Sequence, residues 1–422
     1  MNELIIENNI ISYPKYPPIE HSIVLELYRG KLICGLYKKF TNMCIKLFGY
    51  NVFNTKKSYG KTLNDILTSW FFSQYSYYNF NGDSVFFNIN QIANENIKNI
   101  LEDYTKTYIK NNKNEKINKI IEYLTNEYNL LLSNFNNYKN TEFYDINKYN
   151  YNVTKKIIKL NRDNNNINFY KFKLNLQCNI KIYNLKLTNI LNNIIIPVEE
   201  YKRMFNIYND NHNIDEIIWI ILFRYQLFGS NNNQLSVLPH IVEQMKNDFN
   251  LNIECFASAI NTSTRHFCSL FYDVEKYFGS IGSIFNTDIK SGTYSFNPPY
   301  QKDIITRGIE KIFDLFNNTN DELNFIITIP IWDIEGKIYM KSIDSENNND
   351  NIDYGSFPIM SKIRKSQYLK GIKMISKNDF TYMDHNYYLF KNKTIQNTYV
   401  IVLSNNDNNI YEKINSYNFY NF

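Results

Sequence analysis

Apolar residues recur at helical spacing through the first third of the chain. The clearest case runs from Asn114 to Phe135, where isoleucine, leucine and tyrosine side chains return every three or four residues. The same spacing predicts helices over most of the stretch from Ile23 to Phe135. The first two dozen residues contain three prolines and are expected to form an irregular arm. We therefore predict a mainly helical N-terminal domain at residues 1–150.

In the next segment, apolar residues recur at every second position instead of at helical spacing. From Phe169 to Ile182, aromatic and aliphatic side chains alternate with polar ones, which predicts a strand, and we expect it to belong to a hairpin. Leu185 and Leu187 shift the phase of the alternation, so a turn or bulge is expected just before them. The preceding stretch from Asn136 to Asn168 is rich in asparagine and is expected to hold connections. Residues 151–195 are thus predicted to be a basic β-hairpin and connecting region.

Basic side chains concentrate in this same region. The net charge of the chain is +5, which permits a polyanionic partner without requiring one. A basic cluster is either an ordinary solvated face or a surface for the phosphates of a nucleic acid, and both interpretations stay open. Its members are Lys155, Lys156, Lys159, Arg162, Lys171, Lys173 and Lys181.

After Pro197 the pattern alternates between helices and short apolar strands. A helical stripe from Ile217 to Phe228 stops at Gly229, which suits a helix C-terminus, and a second helix is expected from Ile241 to Phe249. This alternation predicts an α/β fold, a parallel sheet with helices on its faces, for residues 196–422. Strands are expected at Ile253 to Ala257, Phe267 to Tyr272, Ser291 to Phe296 and Phe325 to Ile329, and as an antiparallel pair at Tyr387 to Phe390 and Thr398 to Leu403.

Composition narrows the class of protein. Hydrophobic residues make up 44% of the chain and aromatic residues 16%, so a packed core is expected in spite of the many asparagines. The five cysteines show no C-x-x-C spacing, so neither a disulfide framework nor a metal site is predicted. The sequence shows no signal-peptide pattern and no long apolar run. It therefore predicts an intracellular protein in a reducing compartment, the cytoplasm rather than the nucleus, with no membrane partner.

One short stretch prescribes chemistry. A predicted strand stops at Asn297, and Pro298 and Pro299 fix the backbone of the turn that follows it. The amino group of a base, or a side-chain amide, can give one hydrogen to the Asn297 oxygen and the other to the Pro298 carbonyl, while Tyr300 covers the ring. The stretch is otherwise an ordinary Pro-Pro turn at a strand end. Asn297, Pro298, Pro299 and Tyr300 are therefore the candidate catalytic residues.

The candidate ligand site lies where parallel strands end. Ligands of open parallel sheets bind beyond the carboxyl ends of the strands, and here the chain reaches such ends at Ser258, Asp273 and Asn297. The sequence contains no glycine-rich phosphate loop. A dinucleotide or nucleoside triphosphate cofactor is therefore disfavoured, and an adenosine-containing methyl donor fits better. Asp273 either accepts hydrogen bonds from ribose hydroxyls or caps a turn or helix.

Seven blocks of the C-terminal half stand in a fixed order. They are Arg224 to Gly229, Leu238 with Pro239, Glu254 to Ser258, Asn261, Tyr277 to Ser280, Asn297 to Tyr300, and Ile329 with Pro330 and Trp332. In order and spacing these blocks resemble the phosphorylated-CTD-interacting-factor family, whose members are cap-specific adenosine N6-methyltransferases. The resemblance covers roughly Ile214 to Leu403. It implies a Rossmann-like class I methyltransferase domain preceded by the helical domain, which by its position helps to form the cap-binding groove.

The resemblance also implies a substrate and a cofactor. The substrate is mRNA whose first transcribed nucleotide after the 7-methylguanosine cap is adenosine, and the cofactor is S-adenosyl-L-methionine. Asn297 to Tyr300 match the family's catalytic turn, so the expected function is methylation of that adenosine on N6. The residues expected to bind the cofactor are Glu254, Phe256, Ala257, Ser258, Asp273, Phe278 and Gly279.

The sequence departs from the family pattern in two places. Ala259 and Ile260 stand where the family has Pro-Leu, which is expected to alter the loop over the cofactor without removing a polar contact. The family's WW module, which recognises the RNA polymerase tail, is expected to be absent, because Trp70, Trp219 and Trp332 are too far apart to form one. We therefore expect no polymerase-tail binding through such a module.

Other functions remain open at this level. A protein glutamine methyltransferase or a DNA adenine methyltransferase can use the same turn, because each grips a planar amino group. A catalytically silent cap- or RNA-binding module is a third interpretation, against which the intact Asn297 to Tyr300 turn argues. His240 and His266 are expected to be structural, and Cys255 and Cys268 are expected to be buried apolar side chains.

Overall fold

The helices of the first third and the strands of the last part of the chain lie in two separate units. In this computed structural model the described residues are 2–6, 9–14, 22–49, 63–77, 83, 85–105, 112–141, 151–162, 164–176, 185–229, 234–333, 335–336, 357–391, 396–406 and 409–420. The helical unit comprises Pro17–Tyr201 and Asp210–Asn231. The sheet unit comprises Met1–Tyr16, Lys202–Asn209 and Asn232–Phe422.

The helical unit is built around aromatic side chains. Trp70 is fully buried and meets the rings of Phe87 and Tyr128 edge to face, at centroid distances of 5.2 and 5.5 Å. Over the described residues between Ile23 and Phe135, the prediction of mainly helical structure is confirmed. The helices are α1 Ile23–Phe48, α2 Leu63–Tyr77, α3 Gln91–Thr105, α4 Lys113–Thr141, α5 Leu185–Asn192, α6 Val198–Ile207, which continues into the sheet unit, and α7 Ile214–Leu227.

A buried ion cluster joins α7 to α1. Arg224 is fully buried and donates two hydrogen bonds to the Glu26 carboxylate, at 2.6 and 3.1 Å. Arg29 is also buried and donates to Glu26 and Asp83. Two guanidinium groups and two carboxylates therefore neutralise one another inside the unit. Arg224, the first residue of the family blocks, thus holds helices together.

A long hairpin follows the helices, and here two predictions are corrected. The stretch from Asn136 to Asn168, expected to hold connections, contains the end of α4 and a strand in register with the predicted one. Leu185 and Leu187 lie on α5 and do not continue the alternation. Lys181 and Cys178 fall outside the described residues. The strands are β3 Tyr151–Arg162 and β4 Asn165–Leu176, and β4 also pairs with β5 Ile195–Pro197.

A six-stranded, mostly parallel sheet is the centre of the sheet unit. The prediction of an α/β fold with a largely parallel sheet is therefore confirmed. The order is β12-β15-β11-β10-β7-β8, with β15 antiparallel to both neighbours and the other pairs parallel. This sheet is compatible with a Rossmann-like methyltransferase. Its strands are β7 Leu251–Glu254, β8 His266–Phe267, β10 Gly292–Phe296, β11 Leu323–Pro330, β12 Leu369–Ile375 and β15 Thr398–Ser404.

Helices cover both faces of this sheet. Phe325 and Ile327 on β11 pack in the same buried cluster as Ile309, whereas Ile326, one residue out of phase, packs with Ile241 on the opposite face. β11 is therefore buried along its whole length, as a central strand of a parallel sheet should be. The helices are α8 Pro239–Phe249, α9 Tyr272–Glu275, α10 Lys302–Asn317, α11 Pro358–Arg364 and α12 Ile410–Ser416.

A further sequence prediction, the pairing of two strands near the C-terminus, is wrong in this unit. Tyr387 to Phe390 and Thr398 to Leu403 do not pair with each other, because the second segment is the buried strand β15 inside the main sheet. The first segment ends in a strand of a separate small sheet. That sheet has the order β14-β13-β6, with β6 Leu235–Val237, β13 Tyr382–Asp384 and β14 Leu389–Lys391.

The prediction for the N-terminal residues is also corrected. The described segments Asn2–Ile6 and Asn9–Tyr13 form a hairpin where an irregular arm was expected, and burial alternates along the first strand as in a strand with one face covered. The hairpin strands are β1 Asn2–Ile6 and β2 Asn9–Tyr13, and β2 pairs with β9 Asp288–Ile289.

None of the helices among the described residues combines the length and apolar character that crossing a lipid bilayer requires.

Candidate functional site

The parallel strands define one edge at which ligands bind. The chain runs from β7 to β8 on one side and then to β10 on the other side of β7, so the strand order reverses at β7. In open α/β sheets the crevice outside the carboxyl ends of the strands at such a reversal is the ligand site. The segments that follow β7 and β10 therefore line the candidate site.

The Asn297 to Tyr300 turn leaves the end of β10 at this edge. Asn297 is half-buried and Pro298 is buried. Among the described residues, no donor is hydrogen-bonded to the Asn297 carboxamide oxygen or to the Pro298 carbonyl. The next carbonyl, that of Pro299, accepts from Gln301 N at 2.7 Å. The two oxygens that the sequence singled out are therefore the ones that the turn leaves unused.

A close helix approach fixes the end of β10. Phe296 is fully buried, and α10 passes over it at Gly308, where a Cβ would lie 2.3 Å from the Phe296 ring. A larger residue at position 308 would push the helix off the strand. The turn is thus held between a buried strand and a tightly packed helix.

Tyr300 is anchored through its hydroxyl group. The phenolic oxygens of Tyr300 and Tyr382 are hydrogen-bonded to each other, and the Thr398 side chain interacts with both. The Tyr300 ring meets Trp332 edge to face at a centroid distance of 6.2 Å. Burial, with the neighbouring Tyr382, raises the pKa of Tyr300 well above its ordinary value, and burial raises the pKa of Tyr382 to about 12. Both hydroxyls therefore stay protonated at neutral pH.

A polar network follows β11 at the same edge. Asp333 accepts a hydrogen bond from the Tyr399 hydroxyl at 2.6 Å and another from Arg364 at 2.9 Å. Trp332, just before it, donates its indole N–H to Gln396 at 2.8 Å. Sequence reasoning named Trp332 only through the family blocks and missed Asp333. The signal for Asp333 was available, since it is an acidic residue just after a buried strand.

Glu254, a predicted cofactor residue, organises the loop that follows β7. Its Oε2 accepts from the main-chain nitrogens of Ser263 and Thr264 at 2.6 and 3.1 Å, and from the hydroxyl of Thr262 at 2.9 Å. Among the described residues no donor is hydrogen-bonded to Oε1. One oxygen of this carboxylate therefore shapes the loop and the other remains for a ligand.

A pair of buried acidic residues lies on α9. Asp273, predicted to bind the cofactor, is 2% exposed and follows the short strand β8 by several residues. The prediction of a strand from Phe267 to Tyr272 is corrected, since β8 ends at Phe267 and Tyr272 begins α9. Glu275, which the sequence did not single out, accepts from Ala259 N at 2.9 Å and from Phe271 N at 3.0 Å. Glu275 thus ties α9 to the loop after β7.

Ser258 lies inside that loop in a dense polar network. Its main-chain nitrogen donates to Asn261 Oδ1 at 2.7 Å, and its hydroxyl donates to Gln234 Oε1 at 2.6 Å. Arg203 donates to the carbonyls of Ala259 and Ile260, at 2.7 and 2.5 Å. Ala259 and Ile260, where the sequence departs from the family, are fully buried, so this part of the loop is held by packing and by Arg203.

The remaining predicted cofactor residues pack against protein. Phe256 is half-buried and meets Phe296 edge to face at 5.1 Å, and Ala257 N donates to the carbonyl of Cys268 at 2.9 Å. Phe278 is 1% exposed. Gly279 has a φ of 102°, and a Cβ there would lie 2.1 Å from the Arg265 carbonyl oxygen, so glycine is needed for the backbone itself.

The two thiols near the edge are buried, as predicted from the sequence. Cys255 and Cys268 are each 1% exposed, and burial raises both pKa values, that of Cys268 to about 12. Burial lowers the pKa of His266, and His240 is exposed on α8. Neither thiol is poised as a nucleophile.

The sheet unit is an α/β fold, and the edge beyond its parallel strands is the candidate ligand site. Residues 199–354 match the family model described as phosphorylated CTD interacting factor 1 WW domain. The mRNA (2'-O-methyladenosine-N(6)-)-methyltransferase of Mus musculus is 32% identical over 121 residues, 27% of this chain and 17% of the relative. The Homo sapiens protein of the same name gives the same values. The aligned part thus spans 17% of the length of these relatives.

This match overturns one expectation. We expected the WW module, and with it polymerase-tail binding through such a module, to be absent. The matching model is described as a WW domain, so that expectation is wrong. Tryptophan spacing was the wrong criterion, because Trp219 and Trp332 lie far apart in the sequence and both fall within the matched residues.

Proposed function

We propose that this protein is an S-adenosylmethionine-dependent RNA methyltransferase that acts on N6 of the adenosine next to the mRNA 7-methylguanosine cap. The observation that carries the proposal is the pair of unused oxygens on Asn297 and Pro298 at the carboxyl end of β10. The name of the mouse and human relatives, mRNA (2'-O-methyladenosine-N(6)-)-methyltransferase, supports the same reaction. The proposal includes a class I methyltransferase fold for the sheet unit.

Residues around the reversal at β7 fit the methyl donor. Glu254 Oε1 accepts no hydrogen bond from the described residues, and Asp273 is an acidic group on the first helix after β8, where ribose hydroxyls are commonly bound. Ser258 lies between them in the loop over this edge. S-adenosylmethionine supplies a methyl group on a positively charged sulfur, which keeps the electron pair of the bond that breaks.

The turn activates a weak nucleophile. The adenine amino group is a poor nucleophile because its lone pair is delocalised into the ring. Asn297 and the Pro298 carbonyl, by accepting its two hydrogens, localise that lone pair on nitrogen and hold it at a fixed angle. Tyr300, anchored through its hydroxyl, presents its ring to the base. The chain thereby aligns the nitrogen without needing a general base before the transfer.

A lysine face of the β3–β4 hairpin supports a nucleic-acid substrate. Lys156 and Lys171 are directly opposite each other across the two strands, and Lys173 lies on the same face two residues along. Directly opposed like charges destabilise a hairpin, so their presence favours a polyanionic ligand. Lys155 is excluded from this role, because it points to Asp215 and Tyr201, with hydrogen bonds of 2.6 and 2.7 Å.

One methylation assay tests the proposal. The protein is incubated with a labelled methyl donor and with RNAs that differ only in the cap or in a first nucleotide of A or G, beside duplex DNA and a protein mixture. We expect label only in capped RNA that begins with A, recovered after nucleoside digestion as an N6-methylated adenosine. Label in DNA adenine or in protein glutamine would replace the proposal with one of those activities, and no label anywhere would reject it.

A further inference from the structure

The side chain of Gln234 contains a buried hydrogen-bond donor that has no acceptor among the described residues. The residue is 1% exposed and immediately precedes β6. Its carboxamide nitrogen is buried and has no hydrogen-bond partner among the described residues. Its main-chain oxygen accepts from His385 N at 3.1 Å, which fixes the backbone at this point.

The orientation of this carboxamide follows from its neighbour. The Ser258 hydroxyl oxygen already accepts from Ile260 N and Asn261 N, each at 3.2 Å. With both lone pairs occupied, the hydroxyl can only donate, and its two acceptors in range are Gln234 at 2.6 Å and Asn261 Oδ1 at 3.1 Å. We therefore assign the Gln234 atom that faces Ser258 as the oxygen. The orphaned atom is the nitrogen, a donor of two hydrogens.

An unpaired buried donor points to a ligand when it lies at a ligand-binding edge of the fold. Buried polar groups are almost always paired, and an unpaired one destabilises the fold. Gln234 lies against Ser258 in the loop that follows β7, at the reversal of strand order where a ligand binds. The orphan is thus at the place where the proposed cofactor would supply acceptors.

We propose that Gln234 is a cofactor-binding residue whose side-chain nitrogen donates a hydrogen bond to an oxygen of the methyl donor. This inference rests on the proposed function. The methyl donor offers two kinds of acceptor oxygen, the carboxylate of its amino-acid part and the hydroxyls of its ribose. Gln234 was not among the residues that the sequence or the family blocks singled out.

The variant Gln234→Met separates this role from a structural one. Methionine has a similar size and no polar hydrogen, and the Ser258 hydroxyl keeps an acceptor in Asn261 Oδ1 at 3.1 Å. Removing an unpaired donor should leave the melting temperature of the ligand-free protein unchanged or raise it. By contrast, the dissociation constant for S-adenosylhomocysteine, measured by calorimetry, should rise about tenfold, as expected for the loss of one hydrogen bond.

A matched control is available in the helical unit. Gln74 on α2 is 4% exposed and has a side-chain nitrogen that is likewise buried without a partner among the described residues. Gln74→Met makes the same chemical change on a helix that holds no predicted cofactor residue, and it should leave the dissociation constant unchanged. If Gln234→Met does not fold, Gln234→Leu removes the same donor with an apolar side chain of similar volume, and the same weakening is expected.

The two kinds of acceptor are told apart with 5′-methylthioadenosine, which has the ribose but lacks the carboxylate. A penalty that disappears with this ligand assigns the hydrogen bond to the carboxylate, and a penalty that persists assigns it to the ribose. Wild-type affinity of the Gln234 variant for S-adenosylhomocysteine would overturn the inference alone. A wild-type protein that binds neither ligand would overturn the proposed function as well.

Discussion

Tyr300 and Tyr382 share a hydrogen bond between their phenolic oxygens, which joins the turn after β10 to the small sheet that contains β13. Tyr382 is 4% exposed and its ring also packs against Phe380 at 4.6 Å. The ring of the predicted base-covering residue is therefore held by a second element of the fold. Phenylalanine at position 300 would lack this anchor.

We expect Tyr382→Phe to lower the free energy of unfolding by at least about 1 kcal/mol, because it removes the buried hydrogen bonds of its hydroxyl with Tyr300 and Thr398. Tyr300→Phe should have a similar effect, and the double variant should lose less than the sum of the two single losses, since either change alone already removes the Tyr300–Tyr382 hydrogen bond. Urea denaturation of the three variants gives the coupling energy. Strictly additive losses would show that the two hydroxyls do not depend on each other.

The same pair predicts sensitivity to alkali. The pKa of Tyr382 is about 12 in the folded protein, against about 10 for an unfolded chain. Since the folded state holds the proton more tightly, its contribution to stability is complete below pH of about 10 and is lost as the pH rises through about 12. Denaturation measured across this range should show stability falling, with a shallower fall in Tyr382→Phe. An equal slope in both proteins would contradict the shifted pKa.

The buried ion cluster of the helical unit predicts a large loss of stability. Arg224→Met leaves the Glu26 carboxylate buried with one cationic partner fewer, and we expect a loss of about 3–5 kcal/mol in urea denaturation. Lys119→Met is the matched control, because Lys119 is an exposed member of an i,i+4 pair with Glu115 and should change stability by less than about 0.5 kcal/mol. Similar effects for the two variants would mean that the cluster is not desolvated.

The lysine face predicts a change in the salt dependence of RNA binding. Replacing Lys156 or Lys171 with glutamine removes one positive charge. The slope of log affinity against log salt concentration should then fall by about 1 for each phosphate contact that is lost, and by the same amount for every RNA sequence. Fluorescence anisotropy at several salt concentrations measures the slope. Lys119→Gln serves as the control of equal charge change and should leave the slope as it is. Unchanged slopes for all variants would make the lysine face an ordinary solvated surface.

Local patterns predicted the elements well. The stripe from Asn114 to Phe135 lies within α4, and the strand expected at Phe325 to Ile329 lies within β11. The turn at Asn297 follows β10 as expected. These features depend on residues close together in the sequence, where periodicity and proline geometry are decisive.

Pairing between distant segments could not be read in the same way. The apolar run Thr398–Ser404 fits an edge hairpin as well as a central strand, and only its pairing with β11 and β12 decides between them. The prolines after Tyr13 hid the β1–β2 hairpin, which starts before them. Gln234 has no motif at all, because its role depends on meeting Ser258 in the fold.

The proposed role of the Asn297 to Tyr300 turn in binding the adenine amino group is tested most directly by Asn297→Ala. The assay uses single-turnover conditions and capped RNA beginning with adenosine. The variant loses one of the two oxygens that accept the amino hydrogens, so we expect the rate of N6 methylation to fall at least about a hundredfold while the dissociation constant for S-adenosylhomocysteine stays at the wild-type value. Methylation of the same RNA at the wild-type rate would contradict the role of Asn297.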